Sequence, residues 1–237
     1  MRTLRSLFRE TGLDRTGWPG LRDRILESDA PAAVPRSYPG HPRTELPRAK
    51  PRAFISLEKM LVRRRSARAL STALPSPAEL GRILQFSHGA VDASGRGPVP
   101  SAGGLQALEL YVTPLSEGWL ARGVHHYDRA GGHLSKVADG EGWATRVPSM
   151  ATVEGGALLW VIVGDGARAE EKYGERAFRF LLLEAGHLMQ NLCLVSAGLG
   201  LCTVPLGAFY EGELAEALRL PKTDAVLYVG VCGRATS

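Results

Sequence analysis

The sequence predicts an α+β fold, on three observations. Short β-favouring runs at residues 108–113, 124–127 and 134–137 succeed one another with no helical pattern between them. A continuous apolar run at 157–163 reads as a central strand buried on both faces. A long apolar helical stretch follows it, so strands and helices are grouped rather than alternating as they would in a doubly wound parallel sheet.

Taken in chain order, residues 1–27 carry the pattern of one or two short amphipathic helices. Residues 29–52 hold prolines at 31, 35, 39, 42, 47 and 51. Proline fixes φ and removes a backbone donor, so this segment is expected to be extended, with no interior helix or strand. The expected division is a basic, Pro-rich arm over 1–52 and an ordered domain over 53–237. Ser56 is placed to cap a helix running through Leu57, Met60 and Leu61 into Arg63. Ser76, Pro77 and Glu79 occupy the N-cap, N1 and N3 positions of a capping box that opens a helix with Leu80, Ile83 and Leu84 inward. A loop rich in glycine, proline and serine covers 89–104, and Gly131 and Gly132 mark a hairpin turn. After the long helix come a glycine-rich stretch at 198–207, a short helix at 211–218 and a final buried strand at 226–231, closed by Gly233 and Arg234.

Between Lys172 and Asn191 a charged entrance leads into that long helix. At about 100° per residue, Glu184, His187, Gln190 and Asn191 share an arc of roughly 120°. Phe178, Leu181, Leu182, Ala185, Leu188, Leu192, Val195 and Leu199 cover much of the rest, so the helix is expected to be mostly buried. Its polar stripe must then meet polar partners in the core, at a subunit interface or on a ligand.

The net charge of +5 is concentrated in residues 1–68, which hold 16 Lys+Arg against 7 Asp+Glu. No nucleic-acid module accompanies this excess, so the arm is read as solvated or partner-wrapping and no nucleic-acid partner is expected. Cys193, Cys202 and Cys232 lie in apolar contexts without CxxC spacing, which suits packed thiols in a reducing compartment. A cytoplasmic protein without a membrane span is expected. His125 and His126 must point to opposite faces of a strand, and the other histidines lack paired ligand spacing, so no metal is expected. GxGxxG, GxxxxGK[ST] and GxSxG motifs are absent, which leaves classical dinucleotide, NTP and acyl-transfer chemistry unsupported.

Three motifs can carry other chemistry. Arg63, Arg64, Arg65, Ser66 and Arg68 supply guanidinium and hydroxyl donors suited to a phosphate, although a solvated basic face has the same composition. Pro100, Ser101, Ala102, Gly103 and Gly104 form a small-residue loop that lets backbone approach a flat ligand, although a plain turn reads alike. Lys172 and Tyr173 can hold or move a proton, although locally they look like part of a charged surface loop.

The order of these motifs resembles the FMN-dependent nitroreductase superfamily, and within it the SagB-type branch of thiazole- and oxazole-forming dehydrogenases. The resemblance runs through RRSAR (64–68), PSAGGLQALELYV (100–112), GVHHYD (123–128), KYGERAFRFLLLEAGHLMQNLCL (172–194) and GLGLCTVPLGAF (198–209), and covers about 52–234. It implies a nitroreductase-like fold, a central mixed or antiparallel sheet flanked by helices, in a domain-exchanged homodimer with FMN at the interface. By analogy Arg64, Arg65, Ser66, Arg68 and Arg234 surround the FMN phosphate, and Pro100, Ser101, Ala102 and Gly103 lie along the isoalloxazine. Gln190, Leu206, Gly207 and Ala208 complete the pocket, and Lys172 and Tyr173 are the catalytic pair.

The implied reaction is oxidation of thiazoline or oxazoline to the aromatic azole in peptide natural-product biosynthesis. Lys172 or Tyr173 removes the Cα proton while hydride leaves the neighbouring carbon for the flavin, which oxygen reoxidises. Substrates would be azoline-containing peptides, ribosomal or carrier-bound, with biosynthetic enzymes as partners. Gln106 and Ala107 stand where the family often has an aromatic and a proline, which implies different substrate contacts there. Two other readings stay open: an NAD(P)H-dependent nitro or quinone reductase on the same fold, and a non-catalytic flavin-binding or scaffold subunit.

Overall fold

The computed structural model describes residues 11–12, 16–28, 36–51 and 56–236. The chain enters through α1 (Trp18–Glu27), β1 (Arg43–Glu45), α2 (Leu57–Arg63), β2 (Ala69–Leu70) and α3 (Pro77–Ser87). A 3-10 turn at Ala102–Gly104 leads into β3 (Leu108–Pro114), β4 (Val124–Asp128) and β5 (His133–Ala138). There follow α4 (Trp143–Arg146), β6 (Glu154–Gly155), β7 (Leu158–Gly164), α5 (Gly166–Tyr173), α6 (Ala177–Gly198), β8 (Cys202–Leu206), α7 (Glu211–Ala217) and β9 (Ala225–Gly233). Seven strands form one sheet in the order β1-β5-β4-β3-β7-β9-β8, and every neighbouring pair is antiparallel. β2 and β6 make a separate parallel pair. The fold is therefore α+β with an antiparallel main sheet.

Strand β7 shows why the sheet is central. Leu158, Trp160 and Ile162 enter one core with Leu80 and Leu84 of α3 and Leu181, Ala185, Leu188 and Leu192 of α6. Leu159, Val161 and Val163 enter a second core with Leu214 of α7 and Val229 and Val231 of β9. The period of two along a strand divides an unbroken apolar run between two layers. Burying each large side chain contributes roughly 1.5–3 kcal/mol. Helix starts follow the sequence: the Ser76–Glu79 capping box forms in full, and Ser56 Oγ accepts from Lys59 N–H.

Four expectations change. The Pro-rich segment does contain a strand, because Arg43–Glu45 falls in the proline-free gap between Pro42 and Pro47 and pairs with β5 at the sheet edge, where few donors are needed. The glycine-rich 198–207 holds β8, another edge strand, which tolerates Pro205 for the same reason. Lys172 and Tyr173 close α5 and do not open the long helix, because Gly174 at φ +54° breaks the helix and a 3-10 turn intervenes.

The fourth concerns α6, which is buried on one side only. Leu181, Ala185, Leu188, Met189 and Leu192 face the core, while Phe178, Leu182 and Leu183 are 39%, 44% and 61% exposed. Of the polar stripe, Glu184 is buried, Asn191 is half-buried with its amide donating to Ser87 O, and His187 and Gln190 are exposed. Gly166–Gly198 includes a window apolar enough to cross a membrane by composition, but half of that window is buried, as in a core helix.

Candidate functional site

The predicted site residues gather into two main clusters along α6. At the first, the glycine loop meets the ionisable pair. Gly103 has φ +58°, and a side-chain carbon there would collide with the Tyr173 hydroxyl and lie 3.2 Å from Lys172 Nζ. Only glycine supplies both the left-handed backbone and the space. Tyr173 is buried, with its ring edge-on to Phe180 at 4.8 Å, whereas Lys172 is half-buried and Gly103 is exposed. Burial, and after it the Glu184 charge, raises the Tyr173 phenol above its ordinary pKa.

Glu184 anchors this cluster. Its Oε1 accepts the Ala102 N–H at 2.7 Å, and Ser101 also bonds to its carboxylate. Burial raises its pKa, against the pull of both bonds. Ser101 Oγ in turn accepts the Gln106 N–H at 2.8 Å. Gln106 sits at φ +49°, a conformation that costs about 1–3 kcal/mol for a residue with a side chain. Its surroundings hold it there: Arg129 Nη2 donates to its Oε1 at 2.8 Å and Arg168 Nη1 donates to its carbonyl at 3.2 Å.

The second cluster joins the arginine-serine motif to the C-terminus. Ser71 N–H donates to Arg234 O at 2.8 Å, and Leu70 bridges Ala235, so residues 64–71 run beside the end of the chain. A cavity of about 450 Å³ is lined by Arg63, Arg65, Gly200, Cys202 and Ala235. Cys202 Sγ bonds to Arg65 O and receives the Ala67 N–H, which fixes the motif's backbone. Arg64 is half-buried, Ser66 and Arg68 are exposed, and Arg234 Nη2 pairs with Glu79 Oε1 at 2.5 Å. The guanidinium donors and open volume fit a phosphate, and the open face of Gly104 fits a flat ring. Residues 100–103 do not line the arginine cavity. Glu184 and Cys193 mark the two clusters on α6, roughly 13 Å apart at 1.5 Å per residue.

The remaining predicted residues lie elsewhere. Gln190 is exposed on α6; Leu206 is buried at the end of β8; Gly207 and Ala208 are exposed after it, with Ala208 O accepting from Ser149 Oγ at 2.7 Å. Cys193 and Cys232 are buried thiols pushed up to about 12 and about 11, chiefly by burial, and so are poor nucleophiles. No group of three or more metal-ligating side chains occurs among the described residues. The sequence reading placed Glu184 in a polar stripe without assigning it to the site, and treated Gln106 only as a departure from the family. Bonds between distant segments give both their place.

The fold and these clusters define a class: an α+β domain that presents a guanidinium-lined cavity and a glycine loop faced by an ionisable pair. Residues 61–234 match the nitroreductase family, and the chain belongs to it. Members of that family are oxidoreductases that generally use flavin. The chain is 32% identical over 176 residues to MJ1384 of Methanocaldococcus jannaschii, a candidate nitroreductase, covering 73% of this chain and 89% of that protein. Its fold is similar to a candidate nitroreductase from Ralstonia eutropha, with a TM-score of 0.73, 23% identity, and 86% and 94% of the two chains covered. It is also similar to a chain of the E. coli microcin synthetase McbBCD complex, solved with truncated pro-MccB17 bound, with a TM-score of 0.62, 20% identity, and 100% and 99% covered.

Proposed function

We propose that this protein is a SagB-type FMN-dependent dehydrogenase that oxidises thiazolines or oxazolines to azoles in peptides. The contact of Lys172 and Tyr173 with Gly103 carries the reading, because it sets a proton-handling pair against the loop that would lie along the flavin ring. FMN, when bound, supplies a two-electron acceptor for the hydride. The chain's own residues do the rest. Arg64, Arg65, Ser66 and Arg68 would hold the phosphate, with Arg234 beside them, and residues 100–103 would lie along the ring. Lys172 or Tyr173 would take the Cα proton as hydride leaves the neighbouring carbon, and alignment of base, substrate and acceptor would be the main catalytic contribution.

A homodimer fits the same reading. Separate clusters in one chain become one pocket if a second copy brings its glycine loop to the first copy's arginines. Phe178, Leu182 and Leu183 on α6 offer an apolar surface for that contact. Gln190 and the turn at Leu206, Gly207 and Ala208 border the completed pocket. A cytoplasmic setting, and partners that supply azoline peptides, belong to this proposal.

The test is aerobic turnover of a synthetic thiazoline peptide by the FMN-loaded protein, read by mass spectrometry as loss of two hydrogens. Lys172→Ala should lower kcat by at least about 100-fold while the protein stays yellow. Rapid reduction of the flavin by NAD(P)H with no azoline turnover would replace this reading with a nitro or quinone reductase.

A further inference from the structure

Glu184 has no role among the predicted site residues, yet it bonds to the glycine loop at two points. It is 6% exposed, on the core side of α6, and binds the glycine loop through Ala102 N–H and Ser101. Its charge also acts on the Tyr173 hydroxyl. A buried carboxylate placed for structure alone would ordinarily be matched by a cation, and no ion pair to Glu184 occurs among the described residues. Its bonding partners are neutral groups of the loop.

We propose that Glu184 is a positioning residue: it pins the 101–103 loop to α6, which holds its carboxylate beside the loop that faces the Tyr173 hydroxyl. The catalytic use of Lys172 and Tyr173 rests on the azoline dehydrogenase reading; the pinning and the effect on Tyr173 do not. Other charges near Tyr173 are its neighbour Lys172, Arg24 of α1 beside Gly174, and Arg176 over the Phe180 ring. The two arginines are cationic and favour the phenolate, opposing Glu184. A substitution at 184 leaves them in place, so the change it causes belongs to Glu184.

The full chain labelled with [13Cζ]tyrosine would be titrated by NMR, with Tyr173 assigned by its loss in Tyr173→Phe. In Glu184→Gln the amide oxygen still accepts from Ala102 N–H, but the charge is gone. The Tyr173 resonance should therefore titrate at lower pH than in the wild type, and the alkaline limb of the kcat profile should move the same way with KM little changed. Glu184→Ala should also free the loop and raise KM. Unchanged Tyr173 titration in Glu184→Gln would overturn the proposal, and because that variant keeps the loop bond, the result stands even if Glu184→Ala does not fold. A shifted titration in a protein that oxidises no azoline would refute the proposed function and leave Glu184's action on Tyr173 standing.

Discussion

His88 lies buried between α3 and β3, with Nε2 bonded to Leu108 O at 3.1 Å and Nδ1 without a partner among the described residues. Burial, and after it the Arg129 charge, pushes its pKa down to about 3. The folded state thus binds the neutral ring. Its contribution to stability is complete above the ordinary value of 6.5 and is lost as pH falls from there towards 3, at about 1.4 kcal/mol per pH unit. His88→Gln should flatten that acid dependence, as measured by urea unfolding at pH 7 and pH 4.5. Gly103 makes a second prediction at this scale. Gly103→Ala adds a methyl group against Tyr173 at φ +58°, so it should cost about 1 kcal/mol of stability and most of the turnover. Thermal unfolding and the thiazoline assay check the two parts. The sequence marked Gly103 as permissive; that its space is taken up by Tyr173 could not be read there, since 70 residues separate the two.

Helix α3 ties folding to the site. Its capping box uses both Ser76 and Glu79, and Glu79 also holds Arg234 just after β9. Ser76→Ala should lower stability by about 1 kcal/mol and leave FMN affinity unchanged. Glu79→Ala should lose the cap bond and also release Arg234, changing FMN affinity. Parallel thermal unfolding and flavin titration separate these outcomes. The capping box was legible because it is a local pattern of four residues. Strands β1 and β8 were not, because three residues between prolines, or five that include Pro205, become strands only when a neighbouring edge supplies the hydrogen bonds.

At the scale of the molecule, α6 links the glycine loop, the arginine cavity and an exposed apolar face. If the proposed homodimer forms, Leu183→Glu, at a position 61% exposed, should leave the fold intact while converting the dimer to monomer and weakening FMN binding at least about tenfold. Analytical ultracentrifugation and flavin titration read the two effects. Wild-type protein that sediments as a monomer while binding FMN tightly would exclude an interfacial site. The sequence by itself determined the fold class, the central strand, most element positions and the identity of the motifs, because periodicity, capping and glycine placement act over a few residues. Only the tertiary structure decided that Lys172 and Tyr173 end α5 against Gly103, that Glu184 belongs to their cluster, and that His187 and Gln190 face outward. Those facts depend on how α5, α6 and the loop before β3 pack together, and contacts between segments far apart in the chain leave no local pattern.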